Sequence, residues 1–425
     1  MSQPPRLRRP IFLYSGNLVG GAEQLFLRRA KVAAQLGLDP VIITVPGPMD
    51  EQYKRVAKII HVDPRILNRP AFTPQLAAAV ADDIVALLGL QPAHIEVTCV
   101  PDSYFASLLA FRLPDSDYSL HIIRPGTSLS RAWPCWGDFF LRPRRFRHAL
   151  GGRVDNGVLA SLSEAGRILS VNQACADDAA RLAGLPCIMA ELEPVIIDPP
   201  SPVTISTNGA PYLLSVSRID GDMKSYVLGL ARHFADLSRA YPEVRLKCVG
   251  EGPGLPALRR SVEKFGISPK VDFLGTLTPA QLAPVYAGAL AFVGMGTAAC
   301  EAAMYGAPVV IALAYEPACL SPGFFGQDGL KGFGEVVTGQ AKDSAADLLR
   351  VLLADPVARR RIAERGQAKA FADHHPDAAC ARLSALLSRP AKSPVPHPWP
   401  FPKWRHLLAN YLSGRAFSRP LARWA

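Results

Sequence analysis

The chain has no apolar run long enough to cross a bilayer, no Cys-x-x-Cys pair, and no acidic residue between Ala378 and Ala425. A spanning helix needs about 20 consecutive apolar residues, so no helix that crosses a bilayer is expected. The eight cysteines (Cys99, Cys135, Cys175, Cys187, Cys248, Cys300, Cys319 and Cys380) are dispersed. Zinc and iron–sulfur ligand spacing is therefore missing, and buried free thiols in a reducing compartment are expected. Near the start, Arg6, Arg8 and Arg9 precede an Ile-Phe-Leu-Tyr run that stops at Ser15-Gly16, too short for a signal-peptide core. The expected location is the cytoplasm.

The want of acid in the tail decides how the net charge of +11 is read. Eight Lys/Arg and no acid fall within Ala378–Ala425, which leaves 39 basic against 36 acidic residues in the rest of the chain. A body so nearly balanced offers no broad nucleic-acid surface, and no nucleic-acid partner is expected. What remains is a composition 49% hydrophobic and 20% charged, which belongs to a folded chain, and 425 residues exceed one ordinary core.

Strand-like and helix-like segments alternate along most of the chain. Pro10–Tyr14 reads as a buried strand, followed by the glycine loop Ser15–Gly21 and a helix over Ala22–Leu36. Strands are expected at Val41–Val45, Lys58–Val62, Ile95–Cys99, Tyr118–Ile123, Arg167–Val171 and Val195–Ile197, with helices between several of them. Arg131–Arg153, rich in Trp, Phe and Arg, breaks the rhythm. Residues 198–211 read as a linker, and a second series opens at Tyr212–Ser217. Further strands follow near Val244–Val249, Val271–Leu274, Leu290–Val293 and Val309–Ile311, and two long helices close the series over Ser344–Phe371. The expectation is an α/β chain of two doubly wound parallel-sheet lobes, 1–197 and 212–390, facing across a cleft, with a basic aromatic tail at 391–425.

Chemistry concentrates in the second series. Gly294-Met295-Gly296-Thr297 follows a buried strand and opens a helix carrying Glu301. Free amides and the dipole of such a helix start favour a phosphate, and Thr297 is placed to cap the helix or touch that phosphate. Glu301, one turn in, is placed to accept both hydroxyls of a ribose. A capped helix with an acid in its first turn is the plainer alternative. Arg218 and Lys224 follow the first strand of the same series, so two cations are expected at the same carboxyl edge, enough to hold a diphosphate without a metal. Gly250-Glu251-Gly252-Pro253-Gly254 adds a third, flexible loop there.

With these pieces in order, residues 212–311 resemble the donor-binding lobe of the family 4, GT-B-type glycosyltransferases. The matching segments are Ser217-Arg218 with Lys224, Cys248-Val-Gly-Glu-Gly-Pro253, Val271-Asp-Phe-Leu-Gly275, and Glu301-Ala-Ala-Met-Tyr-Gly-Ala-Pro-Val309. Gly20-Gly21-Ala22-Glu23 is similar to the glycine loop of the acceptor lobe, and the likeness runs in order from about residue 11 to 371. The resemblance implies two Rossmann-like domains and transfer of a sugar from a nucleotide-diphosphate-sugar donor to a glycan or lipid-linked acceptor, with no cofactor. Arg218 and Lys224 would neutralise the departing diphosphate, and Glu301 would hold the ribose. Phe273, Leu274, Gly275, Thr276 and Leu277 would line the base pocket, with Glu251 and Gly294–Thr297 also on the donor side. Gly20 and Gly21 would let the first loop close over diphosphate and sugar. His121 resembles a histidine set near the transferring sugar; a partly buried structural histidine is the competing reading.

Two positions depart from the family pattern. The usual pair of glutamates is separated by seven residues, yet the position eight before Glu301 is Val293, and Arg218 to Lys224 is one residue longer than usual. The donor sugar stays open, as do a nucleotide-sugar epimerase or hydrolase and a non-catalytic binding protein of the same fold. Asp220-Gly221-Asp222 resembles the paired-aspartate metal motif of GT-A-type enzymes, but that fold has one nucleotide-binding domain where this chain has two series. In the tail, Trp404, Leu407, Leu408, Tyr411 and Leu412 share one helical face among Lys403, Arg405, Arg415, Arg419 and Arg423. That pattern suits an anionic membrane surface through 399–425, at the inner face of the membrane, or a helix packed back on the first lobe.

Overall fold

The computed structural model describes residues 7–17, 21–62, 74–123, 157–203, 209–337, 339–340 and 342–392. The chain divides into two compact units, Met1–Ile196 with Ala379–Ala425, and Ile197–Ala378.

Unit 1 is built on seven parallel strands: β1 (Arg9–Tyr14), β2 (Val41–Thr44), β3 (Lys58–His61), β4 (Ala93–Val97), β5 (Asp117–Ile122), β6 (Ile168–Ser170) and β7 (Glu191–Leu192). Their order is β3-β2-β1-β4-β5-β6-β7. The strand order reverses at β1, which pairs with β2 on one side and β4 on the other. Helices α1 (Gly21–Gln35), α2 (Asp50–Lys54), α3 (Pro74–Leu88), α4 (Val100–Arg112), α5 (157–164) and α6 (Gln173–Ala183) cover the sheet. Alternation inside one strand explains why both faces are covered. Ile11 and Leu13 join a core with residues of α3 and α4, while Phe12 points the other way onto Phe26, Leu27, Met49 and Tyr53. A strand buried on both faces reads as a continuous apolar run, which is how it stands out in the sequence.

Unit 2 repeats the plan with five parallel strands in the order β10-β9-β8-β11-β12. These are β8 (Tyr212–Val216), β9 (Arg245–Val249), β10 (Val271–Phe273), β11 (Ala291–Gly294) and β12 (Val309–Ile311). Helices α7 (Tyr226–Ala240), α8 (Leu255–Lys264), α9 (Pro279–Ala287), α10 (Thr297–Met304), α11 (Ala345–Ala354) and α12 (Pro356–His374) surround it. Starts and stops follow capping chemistry. Thr278 and Gln281 form a reciprocal capping box at α9, and Asp355 accepts from the Val357 and Ala358 amides at α12. Here the order reverses between β8 and β11, so the loops after Val216 and Gly294 flank one switch point.

Two expectations need correction. The strand expected at Val195–Ile197 is absent; β7 lies earlier, at Glu191–Leu192. Ile196 is consumed instead by packing with Val32, Ala33, Leu169, Ala379, Leu383, Leu386 and Leu387. The second lobe also ends sooner than 390. Helix α13 (Pro376–Ser388) belongs to unit 1 from Ala379 onward. Its apolar face explains the return, and polar contacts fix it: Arg8 donates to the Leu386 carbonyl at 3.2 Å and Arg382 reaches Glu193 at 3.2 Å. The aromatic segment around 131–153 and the tail from 393 lie outside the described residues.

Candidate functional site

At the switch point of unit 2, the loop after β8 carries Arg218 and Lys224. Arg218 is exposed and Lys224 half-buried. Between them, one Asp220 carboxylate oxygen accepts the Asp222 amide at 3.0 Å and the Lys224 amide at 2.8 Å. This side-chain-capped turn absorbs the extra residue in the Arg218–Lys224 spacing and leads into α7. It also gives Asp220 a local structural task, because Asp side chains readily cap turns in this way. Among the described residues, no group of three His, Cys, Asp or Glu is arranged to hold a metal ion.

The glycine loop after β9 has a different task from the one its composition suggests. The Ile219 amide donates to the Glu251 carbonyl, and the Gly254 amide donates to the Ile219 carbonyl, each at 2.9 Å. Gly250 and Gly252 have φ of 119° and 148°, and a Cβ there would meet the Ser217 and Ile219 carbonyl oxygens at 2.0 and 2.3 Å. No larger residue fits such a backbone or such an approach. These glycines therefore clamp the Arg218 loop and do not act as a flexible flap. Glu251 is exposed at the top of this clamp, and the Gly250 amide continues the knitting to the Gly275 carbonyl at 2.7 Å.

In the run expected to line a base pocket, Phe273 is half-buried against the core of the unit, with the Arg259 guanidinium 4.4 Å from its ring centroid. The Leu274 amide extends the ladder to the Cys248 carbonyl at 2.9 Å. Gly275 and Leu277 are half-exposed and Thr276 is exposed.

After β11 the chain turns sharply. Gly294 is buried at the strand end, Met295 is half-buried, and Gly296 is the N-cap of α10 with φ 64° and ψ −145°. Thr297 is exposed in the first turn and is not the cap. The Gly296 amide is taken by the Phe333 carbonyl at 2.6 Å. Among the described residues the Thr297 and Ala298 amides meet no backbone carbonyl, so the helix start presents two donors. Glu301, one turn on, is half-buried and accepts from the Tyr286 hydroxyl at 3.2 Å. Val293, where the family pattern places a glutamate, is fully buried inside β11.

Sequence reasoning missed Tyr286 and Tyr315. The first was legible as a tyrosine on the apolar side of a helix, since a buried hydroxyl needs a partner. The second had no local signal. Tyr315 is 53% exposed with φ 58°, and its amide donates to the Met223 carbonyl at 3.0 Å, beside the Lys224 turn.

In unit 1, Gly20 lies outside the described residues and Gly21 opens α1, exposed. His121, expected near the sugar, has its ring engaged within unit 1. It is fully buried in β5, with Nδ1 2.9 Å from a Glu96 carboxylate oxygen and Nε2 3.1 Å from the Glu193 carbonyl. Both ring nitrogens are occupied, and the ring is part of a buried charge network. Arg29 pairs with Glu96 at 2.7 Å and Glu193 at 3.0 Å. Burial alone would raise the Glu96 carboxyl, but Arg29 and His121 outweigh it and hold it at about 2. This burial and pairing are what the competing reading of a structural histidine expects.

A second acid at the unit 1 switch point went unread. Asp102, in the first turn of α4, is 1% exposed and accepts the Ser15 amide at 3.1 Å where β1 gives way to the glycine loop. Burial pushes its carboxyl up to about 6, although Cys99 and Ser15 hydrogen bonds pull it down.

Residues 202–369 match the family described as glycosyl transferases group 1. No curated protein sequence matches the chain. Among solved structures, it is similar to a glycosyltransferase from Rickettsia africae ESF-5, at 11% identity and a TM-score of 0.63, over 89% of this chain and 98% of that one. A GtfA/B complex gives 12% identity and a TM-score of 0.58, over 89% and 99%. WaaG, a glycosyltransferase involved in lipopolysaccharide biosynthesis, gives 13% and 0.51, over 89% and 99%. At such identities the likeness is one of fold, the two-domain GT-B type.

The raised Asp102 carboxyl has a consequence for stability. An acid whose folded value lies above its ordinary 3.8 favours the fold while protonated, and that contribution is lost as pH rises through about 6. A rise of that size corresponds to about 3 kcal/mol. Asp102→Asn should therefore gain stability relative to the natural chain between pH 4 and pH 7.5, measured by urea unfolding at a series of pH values. A parallel pH dependence for the two proteins would refute the assignment.

Proposed function

We propose that the protein, whose residues 202–369 match the family described as glycosyl transferases group 1 in a chain of GT-B-type fold, transfers a sugar from a nucleotide-diphosphate-sugar to a glycan or lipid-linked acceptor. The observation that carries the reading is the meeting of three groups at one switch point: the clamped Arg218–Lys224 loop, the open amides of α10, and Glu301 one turn beyond. Ligands of open α/β sheets bind at such a point.

Each group has a part in the proposed reaction. As the bond between the anomeric carbon and the diphosphate breaks, negative charge grows on the leaving group. Arg218 and Lys224 stabilise that charge, and the Thr297 and Ala298 amides donate to phosphate oxygens. The backbone of the Arg218 loop is held by the clasp at Ile219, and the start of α10 by the Gly296 amide on the Phe333 carbonyl. Glu301 accepts from the ribose hydroxyls and sets the register of the nucleotide. The acceptor hydroxyl forms the new bond to the anomeric carbon and passes its proton to an oxygen of the departing diphosphate. Two cations and two amides offset the diphosphate charge without a metal, and family 4 resemblance implies retention at the anomeric carbon. We assign unit 1 to the acceptor.

Arg218→Ala and Lys224→Ala should each lower kcat/KM by about 10- to 100-fold or more, since charge-assisted contacts are worth about 1.5–3 kcal/mol before the transition state adds to them. Thermal melting should be nearly unchanged. Activity should survive exhaustive EDTA treatment. Wild-type turnover in both variants would sink the diphosphate site, and loss in EDTA with rescue by manganese would point to Asp220 and Asp222 instead.

The tail suits an acceptor carried on a lipid. Its cations, at about 1 kcal/mol each near an anionic surface, and its aromatic residues would bring the enzyme to the membrane face where that acceptor lies. In vesicle co-sedimentation, the full chain should pellet with anionic but not neutral lipid, and a chain ending at Ser393 should stay in solution. Equal behaviour of the two chains removes the anchor.

A further inference from the structure

Tyr286 stands at the end of α9 and is 2% exposed. Its ring is stacked with Tyr305 at 5.8 Å and 17°, and lies tilted against Phe292 at 5.9 Å. The buried ring is packed between these two aromatic neighbours, which restrains where its hydroxyl can lie. That position is 3.2 Å from one carboxylate oxygen of Glu301. Burial, followed by the negative charge of Glu301, pushes the phenol far above its ordinary range. The proton therefore stays on Tyr286, which is the donor of this bond.

We propose that Tyr286 is a positioning residue: it fixes the Glu301 carboxylate in the orientation that accepts a vicinal ribose diol, and so makes unit 2 selective for ribonucleotide donors. The inference rests on the reading of Glu301 as the ribose-binding group. A glutamate has three rotatable side-chain bonds, and one left loose would meet a 2′-deoxyribose and a ribose with little distinction. Held from behind by a rigid phenol, it presents a defined pair of lone-pair directions, and a ligand lacking one hydroxyl leaves an acceptor unmet. The polar tip on an otherwise apolar helix face then has a purpose beyond packing: phenylalanine would fill the same volume between Tyr305 and Phe292.

The test is calorimetric titration of the full chain with UDP, GDP and ADP and with their 2′-deoxy counterparts, on four proteins. The natural chain should bind one ribonucleoside diphosphate about tenfold or more tighter than its deoxy form. Tyr286→Phe removes one oxygen and should bring that ratio down severalfold, mainly by weakening the ribonucleotide and leaving the deoxynucleotide nearly untouched. A merely structural role would weaken both alike. Glu301→Ala should erase the ratio, and adding Tyr286→Phe to it should change nothing further. If Glu301→Ala erases the preference while Tyr286→Phe retains it in full, the positioning role is overturned and the ribose role of Glu301 stands. If Glu301→Ala itself leaves the preference intact, the parent reading fails, and the inference with it.

Discussion

The organisation of unit 2 depends on one backbone clasp around Ile219. Its amide is given to the loop after β9 and its carbonyl receives an amide from the same loop, each at 2.9 Å. Ile219 itself is buried, so the two bonds are shielded from water and cannot be exchanged for solvent at little cost. Everything at the switch point follows from this. Arg218 precedes the clasp and its backbone can move little, and the Asp220 turn begins immediately after it. The glycines of the β9 loop are then a steric requirement. A methyl group at either Gly250 or Gly252 would overlap a carbonyl oxygen of the clasp. The clasp limits the backbone freedom of the residue that carries the Arg218 guanidinium, which a free loop would not do.

Unit 1 is arranged around a different constraint, a guanidinium in the middle of its packing. Arg29 is fully buried between Glu96 and Glu193, and Glu96 is shared with His121 while Glu193 is shared with Arg382. Such groups add little net stability over apolar side chains of the same size, but none can be removed alone without stranding a charge. The set joins α1, β4, β5, the segment after β7, and α13. That explains why the last helix belongs to unit 1: the network has a position for Arg382, and the apolar pocket lined by Val32, Leu169 and Ile196 has a place for Leu383 and Leu387.

These two units show what was legible in the sequence and what was not. The parallel strands were plain, because strands buried on both faces leave unbroken apolar runs such as Ile11–Leu13 and Val41–Ile43. Placement of Arg218 and Lys224 at the same edge as Gly294–Thr297 followed from each segment coming directly after a strand of one parallel series. His121 could not be resolved, because a histidine near a strand end reads the same whether it faces a ligand or Glu96. The partner acid lies 25 residues away on a neighbouring strand, and only register brings them together. The glycine-rich loop failed for a related reason: composition reports that small residues are needed, but not whether ligand or backbone occupies the space. Asp102 was invisible because its unusual property is burial, which no local pattern around Cys99–Asp102 announces.

The replacement of the first family glutamate by Val293 has a structural reason that bears on the proposed chemistry. Val293 pairs with Val310 of β12 and is fully buried, so a carboxylate at that position would be sealed in the core. Strand β11 continues one residue further to Gly294, and only Met295 and Gly296 separate it from α10. A loop so short has no room for an acid reaching outward, and the Gly296 amide is committed to Phe333. On the transferase reading, the phosphate and ribose ends of the donor keep their charged partners, whereas the sugar end does not get its carboxylate from this loop. Nucleotide affinity and sugar choice are then separate properties of unit 2. On that reading the first would rest on Arg218, Lys224 and Glu301, and the second on the side chains around the Gly294–Gly296 turn, beginning with the half-buried Met295 in the turn itself.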